Sequence, residues 1–296
     1  MTGSAGFVGR AVVAELIARG LPVVGVDRRS TPMPADHLAL TGDLLHRDEM
    51  VDVALATADA VVHLAGCPGV RDDAPDVRHR RARDNVAATG RVLDAVPAHV
   101  PVVVASSSSV YGGSHGTPSR ESDALAPLGG YARSKVAVED LCRRRVTAGG
   151  RVAVVRPFTV VGEGQRPDMA VARWVAAAEA GHPLQVYGSL ERTRDLTDVR
   201  DLARVLVTLL ELGAPMGVLN VGTGRPHSLA AIIAAVASAT GADVRTVLTP
   251  AAAVEPADTW ACTERLRAAV GFVPQTDLHD VVARQVAARD RLAVAS

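Results

Sequence analysis

Four apolar runs restrict the architecture open to this chain: PVVGVD (Pro22–Asp27), DAVVHLAG (Asp59–Gly66), VPVVVASSS (Val100–Ser108) and RVAVVRP (Arg151–Pro157). Each is short and valine-rich, without the strict apolar–polar alternation of a strand with one wet face, so each predicts a strand buried on both sides. Between them lie helix-patterned stretches at Phe7–Arg19, Arg47–Ala56, Val77–Ala95 and Tyr131–Ala148, the last stopped by Gly149–Gly150. A shorter strand is expected near Leu38–Leu44. Strand, helix, strand in this repeating order implies right-handed crossovers, hence an α/β fold with an open, doubly wound parallel sheet. Beyond Pro157 the pattern loosens at Gly162, Gly164, Pro167 and Pro183, so residues 158–296 should form mainly a smaller C-terminal lobe. Residues 195–222 are expected to return to the first unit, residues 1–157, through the run GVLNVG.

Length and composition narrow the classes of function. A chain of 296 residues can bury a sizeable core, and 32 basic against 32 acidic residues give no electrostatic reason to expect nucleic acid or a membrane surface as partner. The cysteines, Cys67, Cys142 and Cys262, are odd in number and far apart, which suits a reducing cytoplasm better than a disulfide framework or a metal cluster. The run LAAIIAAVASA is too short to cross a bilayer.

The chain opens MTGSAGFVGR, with Gly3, Gly6 and Gly9 in the spacing of a turn that delivers a pyrophosphate to a helix N-terminus. The next strand ends in Asp27, 18 residues after Gly9, where a carboxylate binds adenosine ribose hydroxyls and repels a ribose phosphate. This favours NAD as cofactor over NADP, although Arg28 and Arg29 follow directly and could take a phosphate. The strand that should precede the turn is not written. Its absence would leave a gap in the centre of the sheet, and the expectation is a physical start several residues upstream.

The basic residues divide into 31 arginines and one lysine, Lys135, which stands four residues after Tyr131 in YARSK. At that spacing both side chains lie on one helix face, so the ammonium is expected to favour phenolate and lower the tyrosine pKa for use as a base. The plain alternative is a packed tyrosine beside a solvated lysine. Upstream, ASSSSVYG places Ser106–Ser109 at the carboxyl end of an apolar strand, where open sheets bind ligands.

Together these motifs resemble the extended branch of the short-chain dehydrogenase/reductase family, whose first domain is a Rossmann fold, and within it the nucleotide-sugar epimerases and dehydratases. The likeness runs in order through DAVVHLAGCPGVR, RDNVAATGRVLDA, ASSSSVYGG, YARSKVAVE, RPFTVVGEGQRPDMA, RTRDLTDVRDLA and NVGTG. It implies catalytic roles for Ser107, Tyr131 and Lys135. It implies that NAD is held by Gly3, Gly6, Phe7, Val8, Gly9, Asp27, Arg28, Asp43, Leu44, Leu64, Ala65, Tyr131, Lys135 and Pro157. It further implies a nucleotide sugar held by Ser107, Ser108, Ser109, Thr159, Arg166 and Arg194, the last on the diphosphate. A homodimer built on the helices Val77–Ala95 and Tyr131–Ala148 is the family-level expectation.

The reaction so implied begins with oxidation at the sugar C4. Family dehydratases carry an Asp–Glu pair just after the catalytic hydroxyl, whereas this chain has Ser108 and Ser109, which points away from 4,6-dehydration. FTVVGEGQRPDMA looks most like the uronic-acid 4-epimerases, making Arg166 a candidate for the C6 carboxylate, with a loop cation facing solvent or the diphosphate as the alternative. The resulting expectation is a 4-epimerase of UDP-glucuronate or UDP-glucose type. Decarboxylation of a 4-keto uronate is the nearest chemical rival, and a non-catalytic NAD-binding regulator is the remote one. Val161 and Glu163 depart from the family's usual tyrosine and proline, and AAAVEPADTWACTERLR lacks a recognisable second diphosphate anchor.

Overall fold

The computed structural model describes residues 1–31, 33–69, 74–214 and 217–294. The last two residues of the segment DAVVHLAGCPGVR lie outside the described residues. Strands Val61–His63, Val102–Ala105, Val152–Pro157 and Gly217–Val221 pair in that order, all in parallel, with Val62 opposite Val103 and Val103 opposite Ala153. Successive side chains alternate between two cores, as a strand's period of two requires. Val62, Val103, Ala153 and Val155 pack against helices Phe7–Ala18 and Val199–Glu211. Val61, Val102, Val104, Val152 and Val154 pack against Glu49–Ala56, Ala88–Ala95 and Gly129–Thr147. Val102, Val103 and Val104 are all 0 % exposed, which is why this run is apolar throughout.

Val24–Asp27 and Leu38–Thr41 form a further parallel pair. The unpaired gap expected between this pair and the rest of the sheet is closed at one register by the first residues. Thr2 N donates to Val62 O at 2.9 Å, Leu64 N to Thr2 O at 3.2 Å, Val26 N to Met1 O at 2.8 Å and Gly3 N to Val26 O at 2.8 Å. Thr2 thereby bridges Val26 on one side and His63 on the other, and the phosphate turn that follows is anchored to both neighbours.

The single helix expected over Val77–Ala95 is interrupted. Between Val77–Arg81 and Ala88–Ala95 the segment Ala82–Ala87 winds as a π-helix. The wider turn brings two adjacent polar residues inward together, Asp84 (8 % exposed) and Asn85 (1 %).

Residues beyond Pro157 build a further apolar cluster around Trp174, Leu184, Leu196, Ile232 and Val281. Strand Thr193–Asp198 lies between Thr159–Val161 and Pro226–Ser228, and Leu184–Tyr187 pairs with Thr246–Thr249. Thr193–Asp198 thus lies outside the parallel sheet, whereas helix Val199–Glu211 packs on that sheet and strand Gly217–Val221 extends it. Among the described residues no helix is long and apolar enough to cross a membrane.

Candidate active site

A cavity of about 880 Å³ opens at the carboxyl ends of the parallel strands, and every residue singled out above for cofactor, substrate or catalysis lines it. This is the crevice in which open α/β sheets bind ligands.

One end is built by the glycine turn. Gly3 has φ +75°, and a Cβ there would sit 2.7 Å from Ala65 N; a Cβ on Gly9 would lie 2.0 Å from Gly3 O. No other residue packs at either position. Gly6 caps the helix Phe7–Ala18 without any side-chain cap, leaving its first amides for an anion. Asp27 is fixed beside the turn, accepting from Ala5 N at 3.1 Å and Arg29 N at 3.0 Å.

The arginines that follow are already committed to carboxylates or carbonyls. Arg28 Nη2 donates to Asp84 Oδ2 at 3.0 Å, and Arg29 Nη2 to Ala5 O at 3.0 Å. Arg83 joins Asp84, at 2.5 Å, to Asp43. Burial works against ionisation of Asp43, but the bond from Arg83 and the Leu45 N–H prevail and hold its carboxyl below the ordinary range. Residue spacing gave no signal for Asp84, because its partner Arg28 is 56 residues away in sequence.

The other end carries the reacting groups. Ser107 leaves the strand Val102–Ala105 and caps a short 3₁₀ turn, Ser108–Tyr111, by accepting from Ser109 N at 3.2 Å. The Ser109 hydroxyl is buried, lines the cavity and has no protein partner among the described residues. Behind this turn lies a buried chain of polar groups that the sequence reading missed. Ser106 Oγ donates to Glu139 Oε1 at 2.5 Å, Arg156 Nη1 donates to Tyr111 Oη at 2.7 Å, and Tyr111 Oη donates to Asn220 Oδ1 at 2.7 Å. Burial pushes the Tyr111 phenol up to about 12, so it remains a donor. Glu139 lies one helical turn after Lys135, a position that could have flagged it.

Tyr131 and Lys135 enter from the helix Gly129–Thr147, with Lys135 Nζ 5.9 Å from the Tyr131 ring centroid. Their predicted relationship needs correction. Lys135 Nζ donates to Ala105 O at 2.9 Å, and burial lowers its pKa from 10.5 to about 8. Tyr131 is raised above its ordinary value by burial, partly offset by hydrogen bonding to Ser107 and by the positive charges of Arg166 and Arg81. Burial therefore works against the phenolate, and the positive charges that favour it are those of Arg166 and Arg81.

Thr159 and Arg166 also line the cavity, with Pro157 at the end of its strand. Arg194, expected on a diphosphate, also lines the cavity and donates to the carbonyls of Thr193 (2.7 Å), Ala257 (2.8 Å) and Pro256 (3.0 Å). Those bonds hold its guanidinium at the cavity rim.

A doubly wound sheet with a phosphate turn at one end of a cleft and a serine, tyrosine and lysine at the other defines a dinucleotide-dependent enzyme of the extended short-chain dehydrogenase/reductase class. The match to the family described as "NAD dependent epimerase/dehydratase" extends over residues 1–222, and the chain belongs to that family, with NAD as its cofactor. It is 30 % identical to a Bacillus subtilis protein named "Uncharacterized UDP-glucose epimerase YtcB", over 97 % of this chain and 96 % of that one. Among solved structures it is similar to MoeE5 in complex with UDP-glucose and NAD, at 37 % identity and a TM-score of 0.89, over 99 % of this chain and 98 % of that one. It is also similar to the UDP-glucuronic acid 4-epimerase of Bacillus cereus in complex with UDP-glucuronic acid and NAD, at 28 % identity and a TM-score of 0.90, over 98 % of each chain.

Proposed function

We propose that this chain is a nucleotide-sugar 4-epimerase acting through a transient 4-keto sugar on a UDP-glucuronate or UDP-glucose type substrate. The observation that carries the reading is the convergence of Ser107, Tyr131 and Lys135 on the one cavity whose far end is the glycine turn. The residues fit the dinucleotide: the turn leaves no room for side chains at Gly3 and Gly9, the helix amides are uncapped, and Asp27 is held beside the turn, where it would meet the adenosine ribose. Gly3, Gly6, Phe7, Val8 and Gly9 would hold its pyrophosphate, and Asp27, Arg28, Asp43 and Leu44 its adenosine end. Leu64, Ala65 and Pro157 would flank it, with Lys135 on its second ribose.

When bound, NAD supplies a hydride acceptor and donor at the sugar C4. Tyr131, once ionised to the phenolate, takes the C4 hydroxyl proton and later returns it to the same oxygen after the ring has presented its other face. Ser107 donates a hydrogen bond to that oxygen as its charge changes. The bond to Ser107 and the charges of Arg166 and Arg81 favour that phenolate, and Lys135 Nζ stands 5.9 Å from the ring centroid. Ser108 and Ser109, where an acid pair would serve dehydration, support retention of the C6 substituent, and Arg166 offers a fork suited to a carboxylate. Arg194 would hold the diphosphate.

Cys67, Cys142 and Cys262, all buried and far apart in sequence, support a cytoplasmic setting, and equal numbers of basic and acidic residues give nucleic acid no electrostatic handle. We take the protein to be a homodimer through the faces of the 77–95 segment and helix Gly129–Thr147, to be checked by light scattering. The chemistry is tested by incubating the protein with UDP-glucose and UDP-glucuronate and following products by NMR and mass. The expected outcome is C4 inversion without loss of mass. Loss of carbon dioxide would establish decarboxylation instead. In Tyr131→Phe turnover should fall by about a thousandfold or more while NAD binding persists; unchanged turnover would remove Tyr131 from the chemistry.

A further inference from the structure

Arg166 sits on the loop between strand Thr159–Val161 and helix Ala170–Glu179, and the structure shows how its side chain is held. Nε donates to Asp168 Oδ1 at 2.8 Å and Nη2 to Asp168 Oδ2 at 2.5 Å, a side-on pair joining two points of each group. Only Pro167 separates the two residues, and its fixed φ stiffens the turn between them. The pair consumes one edge of the guanidinium. Nη1, on the other edge, makes no hydrogen bond to the described residues, and Nη2 adds only a 4.0 Å contact to the Met169 sulfur. Both Arg166 and Asp168 line the cavity together with Tyr131 and Ser107–Ser109, and the charge of Arg166 is felt by the Tyr131 phenol.

A guanidinium gripped side-on by one carboxylate has its end-on fork, Nη1 and Nη2, oriented and available for a second. We propose that Asp168 is a positioning residue that selects for a substrate carboxylate by fixing the plane of Arg166, an inference that rests on the reading of Arg166 as the group that recognises C6. Without that grip a long arginine side chain must lose its rotational freedom on meeting the substrate, at a cost in affinity. Asp168 itself is 60 % exposed in its side chain, against 32 % for Arg166. Water therefore screens its negative charge from an incoming carboxylate, while its two short bonds act locally.

The experiment compares calorimetric dissociation constants of UDP-glucuronate and UDP-glucose on the NAD-loaded protein and on Asp168→Ala, Asp168→Asn, Asp168→Glu and Arg166→Gln. Asp168→Ala is expected to weaken UDP-glucuronate about tenfold, the value of one charge-assisted bond, and to leave UDP-glucose within twofold. Asp168→Asn should fall between, and Asp168→Glu should recover part of the loss. Tighter UDP-glucuronate binding in Asp168→Ala would show that Asp168 competes with the substrate, and an equal loss for both sugars would show that it only shapes the loop. An unchanged ratio in both Asp168→Ala and Asp168→Asn would show that Arg166 needs no holding, and each of these three results overturns the proposal. Arg166→Gln separates the underlying reading: if it leaves the ratio of the two affinities unchanged, Arg166 does not recognise the carboxylate at all.

Discussion

Glu139 and Arg156 meet as a two-point ion pair inside the protein, 2.9 Å from Nε to Oε1 and 2.7 Å from Nη2 to Oε2, with side chains 9 % and 4 % exposed. The same Glu139 oxygen that receives Nε also accepts from Ser106, the residue before the candidate catalytic Ser107. Replacing one partner of such a pair leaves the other charge buried without its counterion. Glu139→Gln should therefore lower unfolding free energy by roughly 3 kcal/mol, read by urea denaturation. The double variant Glu139→Gln, Arg156→Met should recover much of that loss; no recovery would mean that the pair's worth is in packing rather than charge.

His63 ties the first residues to the rest of the sheet. Its Nδ1 lies 2.7 Å from Thr2 Oγ1 and its Nε2 3.0 Å from Thr89 Oγ1, and burial lowers its pKa from 6.5 to about 3, with Lys135 and the terminal amine adding to the effect. Between those two values the unfolded chain binds a proton that the folded chain excludes, so stability is present above pH 6.5 and falls as pH drops toward 3. The loss is on the order of 4 kcal/mol across the whole window. His63→Gln should flatten this part of the pH profile in denaturant titrations. Because Thr2 precedes the phosphate turn, NAD affinity in the unaltered protein should weaken in parallel; an affinity flat from pH 7 to 5 would uncouple the two.

Asp84 pairs with Arg28 at 3.0 Å beside Asp27, at the end of the cleft proposed for the adenosine ribose. The Arg28 side chain is 54 % exposed and keeps only the longer 4.0 Å pair to Asp43 once the Asp84 charge is removed, whereas Asp27 is fixed by two backbone amides. Asp84→Asn is expected to narrow the preference for NAD over NADP by about tenfold, measured as the ratio of dissociation constants by nicotinamide or protein fluorescence. A ratio unaltered by the substitution would assign cofactor choice to Asp27 alone.

The local rules of the chain made several of these features legible. Valine runs with no polar alternation become strands buried on both faces, Gly3 and Gly9 stand where no Cβ fits, and a four-residue step puts Tyr131 and Lys135 on one helix face. Each depends on neighbours in sequence. What was not legible depends on partners distant in sequence. With 31 arginines and 32 acidic residues, spacing does not say that Arg156 meets Glu139 or that Arg28 meets Asp84. It does not say that Lys135 donates to Ala105, or that burial outweighs the nearby cations at Tyr131.

Sequence by itself thus determined most of the strand and helix pattern, the glycine turn and the placing of Tyr131 and Lys135 on one helix face, because backbone sterics and helical periodicity act over a few residues. Tertiary structure alone decided which charges are neutralised and which remain to meet a ligand. Desolvation and ion pairing depend on the distance and burial of groups brought together only when the sheet, the π-helical turn at Ala82–Ala87 and the residues beyond Pro157 close around one cavity.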